Sequence, residues 1–378
     1  MKFVHLSDLH IGKRLNEFSL IEDQKYILNE ILRIVIDEKP NGVLIAGDVY
    51  DKSVPSAEAV TLFDDFLVSL SKTNAKIFVI SGNHDSPERI AFGGRLMEIG
   101  GVHMSKVYDG AVEPIVMEDE HGTLNVYLLP FVKPANIRQY FEGEEISTYT
   151  EAMKAVVASL KIDTTKRNVL VTHQFITGAE RSDSEEISVG GTDNIDGTVL
   201  DEFDYVALGH IHKPQRILRD TMRYCGSPLK YSFSEAKHKK SVSVITMLEK
   251  GKVNVETREL VPMRDMVEIK GKYNDIISKS YYDKLNVEDY YHITLTDEED
   301  VFDAIGKLRI VYKNLMKLDY DNKRTKTNNE ICGSDEIEKK KPIELIDEFY
   351  NLQNNDHLSE EQLGLLKEMI EEIWGGDQ

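Results

Sequence analysis

Cysteine is scarce in this 378-residue chain: Cys225 and Cys332 stand far apart and outside any paired-cysteine spacing. That scarcity excludes a disulfide framework and a thiolate zinc site, and it points to a reducing, cytoplasmic setting. Long apolar runs are missing as well, so nothing approaches a membrane span. The chain also lacks a Gly-x-x-x-x-Gly-Lys-Ser/Thr phosphate loop, and any ATP dependence would have to come from a partner. Basic residues are in deficit, 46 against 66 acids for a net charge of −20. A deficit of that size argues at first sight against nucleic acid, which usually selects a basic footprint. Its distribution weakens the objection, because the last 44 residues hold thirteen acids against four lysines, a net charge of −9. By contrast, Ile305 to Thr327 carries Lys307, Arg309, Lys313, Lys317, Lys323, Arg324 and Lys326 against Asp319 and Asp321. That stretch reads either as a solvated surface or as a face for a polyanion.

A hydrophobic fraction of 41% and this length support an ordinary globular protein of two or three domains. The amino terminus, from Met1 to Asp8, runs directly into a candidate strand and leaves no room for a cleavable signal. Strands and helices alternate at first: a strand over residues 2–6, an amphipathic helix over 20–37, a strand over 42–46 and a helix over 57–71. After a strand over 76–80 the pattern turns β-rich to about Pro262, predicting packed sheets with helices outside. A small α+β module follows, with a helix expected over 301–312, then a polar linker and two helical patterns over 343–353 and 359–374. The expected domains are 1–262, 263–331 and 343–378, with 332–342 as linker.

What the chain does contain is five short clusters of metal-ligating side chains. They are Asp8-Leu9-His10, Gly47-Asp48 with Asp51, Gly82-Asn83-His84-Asp85, His173, and Gly209-His210-Ile211-His212. Each follows an apolar, β-branched run such as Val43 to Ala46 or Ile77 to Ile80, so the donors sit where strands end. Residues i and i+2 on an extended backbone project to one side, so Asp8 with His10 and His210 with His212 can each aim two donors at one pocket. Neither pair is specific alone. Co-occurrence makes the case, since five of the eleven histidines fall in these clusters. His5 lies inside the first strand without a cluster partner and is assigned to the core. Asp48 follows a buried strand, where its carboxylate needs compensating cations, and a bridging position between two metals fits it. Asn83 reads either as a neutral oxygen donor or as turn chemistry. Carboxylate, amide and imidazole without thiolate favour manganese over magnesium.

The ordered motifs Asp-x-His, Gly-Asp-x-x-Asp, Gly-Asn-His-Asp, His and Gly-His-x-His resemble the calcineurin-like metallophosphoesterases. Asp8-Leu9-His10-Ile11-Gly12, Gly82 to Ser86, Ala207 to His212 and Arg223 to Pro228 narrow the resemblance to the SbcD-type nuclease subunits. The resemblance implies an α/β four-layer sandwich, two packed β-sheets flanked by helices, with a small capping domain facing DNA and carboxy-terminal helices. It implies two divalent ions, most simply Mn2+, one held by Asp8, His10, Asp48 and His212 and the other by Asp48, Asn83, His173 and His210. His84 would contact the phosphate and assist the leaving oxygen. Asp85 would orient His84, with turn capping as the competing explanation, and Asp51 would hydrogen-bond behind the ligands. The implied activity is a DNA exonuclease and hairpin-opening endonuclease in repair, recombination and replication, and the alternative is a stand-alone phosphomonoesterase or nucleotidase. The implied assembly is a homodimer within a heterotetramer with two SbcC-like ATPase subunits. Two departures from the pattern are Leu9, where some relatives carry tryptophan, and an acidic insertion at Ser182 to Ile187 to which no role is assigned.

The last helix opens with Ser359-Glu360-Glu361-Gln362, a capping-box pattern, and then presents Leu363, Leu366, Met369, Ile370, Ile373 and Trp374. Composition alone suits packing onto its own domain. The resemblance instead assigns these helices to docking on the ATPase partner.

Overall fold

The computed structural model describes residues 1–185, 193–323, 342–354 and 356–374. The expected linker up to Lys341, Cys332, Arg324, Lys326, and Glu186 and Ile187 of the acidic insertion lie outside the described residues. The chain forms two compact units, Met1–Met266 and Val267–Gln378.

The first unit is built on two six-stranded sheets. One runs, edge to edge, Val253–Glu259, Ser241–Met247, Lys2–Leu6, Gly42–Ala46, Lys76–Ile80 and Val102–Met104. Its four strands from Lys2–Leu6 outward are parallel, and Ser241–Met247 joins Lys2–Leu6 antiparallel. The other sheet runs Gln215–Ile217, Arg219–Tyr224, Tyr205–Gly209, Arg167–His173, Gly122–Leu129 and Ile115–Asp119, parallel at its centre and antiparallel at both edges.

Period-two alternation explains how the sheets stack. Phe3, Leu44, Ala46, Phe78 and Ile80 from one sheet share a buried cluster with Leu124, Val126, Val169, Val171 and Ala207 from the other. The central strands are buried on both faces, as parallel strands are, so Leu170, Val206, Leu208 and Tyr224 point the other way. There they meet Ala152, Met153 and Val156 of the helix Tyr149–Ser159. On Ala57–Ser71, Ala59, Phe63, Phe66 and Leu70 recur at helical spacing and are buried, while the Ser56 side chain caps the Ala59 N–H. This is the α/β sandwich the sequence predicts. The edge strands Val102–Met104 and Ile115–Asp119 were not expected from the sequence. The first is three residues long and the second alternates half-buried with exposed positions, so neither carries a continuous apolar run.

The second unit contains a three-stranded sheet ordered Met266–Gly271, Tyr290–Leu295, Leu315–Tyr320. Its core gathers Ile276, Tyr291, Ile293, Leu308 and Tyr312. The helix expected over 301–312 is shorter, Ala304–Arg309, because Asp303 takes a left-handed conformation (φ 49°) just before it. Of the basic stretch, Lys313 pairs with Glu288 and Lys317 with Asp319, whereas Lys307 and Arg309 are exposed. The helices Pro342–Asn354 and Glu360–Trp374 follow. Ser359 and Gln362 exchange the expected reciprocal capping bonds, 3.2 and 2.9 Å. Among the described residues, no helix is long and apolar enough to cross a membrane.

His5 is fully buried in the first strand, its Nδ1 3.0 Å from the Tyr205 hydroxyl. Burial pushes its imidazole down to about 3. The unfolded chain therefore takes up this proton first. Stability is complete above about pH 6.5 and is lost as the pH falls toward 3, at up to about 1.4 kcal/mol per pH unit from this residue. His5→Gln should flatten the decline of urea-unfolding stability between pH 6.5 and 4; an unchanged slope would refute the assignment.

Candidate metal centre

All seven residues expected as ligands converge at the strand ends of the first unit. Asp8 and His10 follow Lys2–Leu6, Asp48 follows Gly42–Ala46 and Asn83 follows Lys76–Ile80. From the opposite sheet, His173 ends its strand, and His210 and His212 follow Tyr205–Gly209. Asp8, His10, Asp48, His173, His210 and His212 are all buried.

Their donor atoms lie close together. His10 Nε2 is 3.1 Å from His212 Nε2 and 3.6 Å from Asp48 Oδ2. His173 Nε2 is 3.4 Å from the same Asp48 oxygen and 3.0 Å from Asn83 Oδ1, which is 2.9 Å from His210 Nδ1. Ligand-capable atoms of Asp8, His10 and His212, of Asp8, Asp48 and His173, and of His10, Asp48 and His84 each fall within 4.8 Å of one another. Asp48 is common to two of these groups.

The backbone aims these side chains. Asp8, His10, Asp48 and His210 all have positive φ, 53°, 44°, 48° and 102°. For residues with a Cβ this conformation is uncommon, and it concentrates at functional sites. Specific bonds then orient each ring or carboxylate. His173 Nδ1 donates to the Ala46 carbonyl at 2.8 Å, which turns its Nε2 inward. Asp8 Oδ1 accepts the His210 N–H and Asp48 Oδ1 the His84 N–H, each at 2.9 Å. Gln24 holds the His10 carbonyl at 2.7 Å.

Charge at the centre is unevenly held. Burial works to raise the Asp48 carboxyl, but the rings of His173, His10 and His84 outweigh it and keep it well below the usual range. Burial also opposes a charge on His173, yet Asp48 and then Asp8 hold that imidazole up to about 9. His210, with less compensation, is pushed by burial down to about 3. The residues fit divalent cations. His10 Nδ1 is a buried atom without a hydrogen-bond partner, and two imidazole nitrogens face each other at 3.1 Å where a cation would serve both. The donors are oxygen and nitrogen only, which suits borderline or hard divalent ions.

The supporting residues differ from expectation in one respect. Asp85 makes no hydrogen bond to His84. Its carboxylate instead accepts the N–H groups of Val49, Tyr50 and Gly82 at 3.0, 2.9 and 2.9 Å, tying the Asp48 loop to the Asn83 loop. These three backbone N–H groups, and not the imidazole, hold the carboxylate. The His84 ring is oriented by the Asp51 carbonyl, 3.1 Å from Nδ1, leaving Nε2 4.0 Å from Asp48 Oδ2. Asp51 itself accepts Lys13 Nζ at 2.7 Å, so Lys13 is engaged close to the site. Sequence reasoning missed Gln24, Tyr231, Glu235 and Lys240. All four are buried, and Glu235 and Lys240 form an ion pair. Nothing marks them in the sequence, since they belong to no strand-end cluster.

Two packed mixed sheets whose strand ends gather carboxylate, amide and imidazole donors define a calcineurin-like phosphoesterase, and the family model of that description matches residues 1–214. A second model, described as a type 5 capsule protein repressor C-terminal domain, matches residues 262–354. The SbcD subunit of the nuclease SbcCD from Staphylococcus epidermidis is 33% identical over 374 residues, 98% of each chain. The chain thus belongs to the SbcD family of calcineurin-like phosphoesterases and is a metal-dependent phosphodiester hydrolase. Among solved structures, a dimetal phosphatase from Danio rerio aligns with TM-score 0.44 and 12% identity over 69% of this chain and 96% of that one. A Thermus thermophilus protein aligns with TM-score 0.40 and 12% identity over 68% and 98%.

Asp85→Ala should leave two buried N–H groups and one half-buried one unpaired and cost about 2–5 kcal/mol of folding stability. Chemical denaturation measures this; a loss under about 0.5 kcal/mol would contradict the clamp, since surface changes reach that size.

Proposed function

We propose that this protein is a manganese-dependent DNA exonuclease and endonuclease that trims ends and opens hairpins together with an ATPase partner in the cytoplasm. The observation that carries the reading is the convergence of six oxygen- and nitrogen-donor residues with Asp48 in a chain similar over nearly its whole length to an SbcD nuclease subunit. Asp8, His10, Asp48 and His212 would hold one ion, and Asp48, Asn83, His173 and His210 the other. When bound, two divalent cations supply charge neutralisation at the scissile phosphate and an acidified water for in-line attack.

The chain's own residues do the rest. His84 donates Nδ1–H to the Asp51 carbonyl, which turns Nε2 to the Asp48 side. From there it would contact the phosphate and hand a proton to the departing oxygen. Asp85 holds the two loops that present Asp48, Asn83 and His84. In the second unit, exposed Lys307 and Arg309 offer cations for a duplex backbone, and that contact would weaken as salt rises.

One assay decides between this reading and a phosphomonoesterase. Protein with Mn2+ receives labelled hairpin DNA, blunt duplex and a small phosphomonoester, beside His84→Ala and Asp48→Ala. DNA cleavage that falls at least about 100-fold in both variants supports the nuclease, on the scale of a lost acid–base group. Turnover of the monoester without DNA cleavage overturns it.

Two surfaces support the assembly. Phe92, Leu96 and Ile99 are 81%, 77% and 87% exposed on adjoining short helical turns, an apolar patch suited to a second copy. Phe349, Leu365 and Met369 are exposed on the last two helices, which suits docking of the ATPase subunit; the side chains of Ile370, Ile373 and Trp374 lie outside those described. Mass photometry should find a dimer that Leu96→Asp with Ile99→Asp splits into monomers. Truncation after Pro342 should abolish the larger complex with the ATPase while the dimer persists. A monomeric parent, or a truncated chain that still binds the ATPase, would refute the respective surface.

A further inference from the structure

The described part of the acidic insertion, Ser182 to Glu185, reaches the metal centre from behind. His212 presents Nε2 to His10, and its other ring nitrogen, Nδ1, lies 2.7 Å from the Ser184 hydroxyl. That hydroxyl in turn donates to Glu235 Oε1 at 2.5 Å. The His212 N–H donates to Glu185 Oε1 at 2.7 Å. Glu235 is completely buried, and its second oxygen is occupied by the equally buried Lys240, which also donates to the His212 carbonyl and to Ser227 Oγ, both at 2.8 Å. Ring, N–H and carbonyl of one residue are thus all held within a single network, in which Glu235 Oε1 also lies 3.4 Å from His212 Nδ1, behind the closer Ser184 hydroxyl.

The segment carrying Ser184 and Glu185 is itself tied down. The Glu180 N–H donates to Gln215 Oε1 at 3.0 Å and Gln215 Nε2 returns a bond to the Glu180 carbonyl at 2.9 Å. Lys213 pairs with the Glu180 carboxylate, and the Asp183 N–H donates to Ser234 Oγ at 3.0 Å. The loop is therefore anchored at two places, to the residues just after His212 and to the turn that carries Glu235.

Chemistry then determines the direction of each bond. An ionised Glu235 can only accept, so the Ser184 proton points to it and the serine lone pairs face His212. His212 Nδ1 must then carry the proton, which frees the Nε2 lone pair for the metal side. We propose that Ser184 and Glu185, backed by the Glu235–Lys240 pair, are positioning residues that lock His212 in the tautomer and orientation that bind one of the two metal ions. The inference rests on the reading of His212 as a ligand. It gives the insertion a role, as a strap that prepares one ion site while leaving the donors of the other, Asn83, His173 and His210, to their own supports.

The test uses the full-length protein, Mn2+ titration by calorimetry, and the imidazole 15N signals of metal-free protein. In the parent, His212 should report the Nδ1–H tautomer, and two Mn2+ should bind. Ser184→Ala should weaken one Mn2+ about 10- to 100-fold, as loss of a partner behind a ligand does, with the other unchanged. Its His212 signals should shift to mixed tautomers at an unaltered melting temperature. Ser184→Thr, which keeps the hydroxyl, should restore both readouts. If Ser184→Ala binds both ions like the parent while His212→Ala loses one, the positioning role is wrong and the ligand assignment stands. If His212→Ala also binds both ions like the parent, the ligand assignment falls and the inference with it. An Nε2–H tautomer in the parent overturns the inference directly.

Discussion

Close approach of backbone at three glycines is the constraint on which the rest of this structure depends. A Cβ on Gly209 would lie 1.9 Å from the Ala46 carbonyl oxygen, one on Gly82 2.1 Å from Asp48 Oδ1, and one on Gly47 2.5 Å from His173 Nδ1. Facing sheets sit about 10 Å apart, too far for aspartate and asparagine side chains to meet across the gap. Only where side chains are absent can strand ends from both sheets close on one point. The apolar cluster between the sheets sets the distance, and the glycines shorten it locally at one end.

Convergence has a second cost. Four of the converging donor residues carry positive φ, and each departure of that kind costs about 1–3 kcal/mol. Buried donors facing one another add desolvation. Much of the surrounding architecture offsets these terms. The Asp85 carboxylate ties two loops through three N–H groups, the Ala46 carbonyl fixes His173, Gln24 fixes His10, and the buried Glu235–Lys240 pair sits behind His212. Divalent cations complete the compensation, since metal binding and the ordering of such a site are linked equilibria. The conformation that is costly without a cation is the one that binds it.

Much of the fold is legible from the chain because buried parallel strands write themselves as apolar runs. Val43 to Ala46 and Ile77 to Ile80 need no neighbour to be recognised. The edge strands are not legible, because Val102–Met104 is short and Ile115–Asp119 is half solvated. The helix after Val301 is overestimated for a related reason: Asp303 adopts a left-handed turn that composition does not signal. Among site residues, the strand-end clusters are visible because ligands for one centre recur after successive strands. Asp85 misleads because proximity to His84 in sequence suggests contact, whereas its carboxylate turns away toward three backbone donors.

The sequence by itself determined the donor types, their order and their placement at strand ends, and through them the family and its divalent-metal chemistry. Those properties are local: a strand, a glycine and a ligand lie within a few residues of one another. Tertiary structure decided which donors face which, that the Asp51 carbonyl orients His84, and that Ser184, Glu185, Glu235 and Lys240 gather behind His212. Most of these contacts join segments tens of residues apart in loops without periodicity, and strand pairing within a sheet, together with the packing of one sheet on the other, brings them within hydrogen-bonding reach.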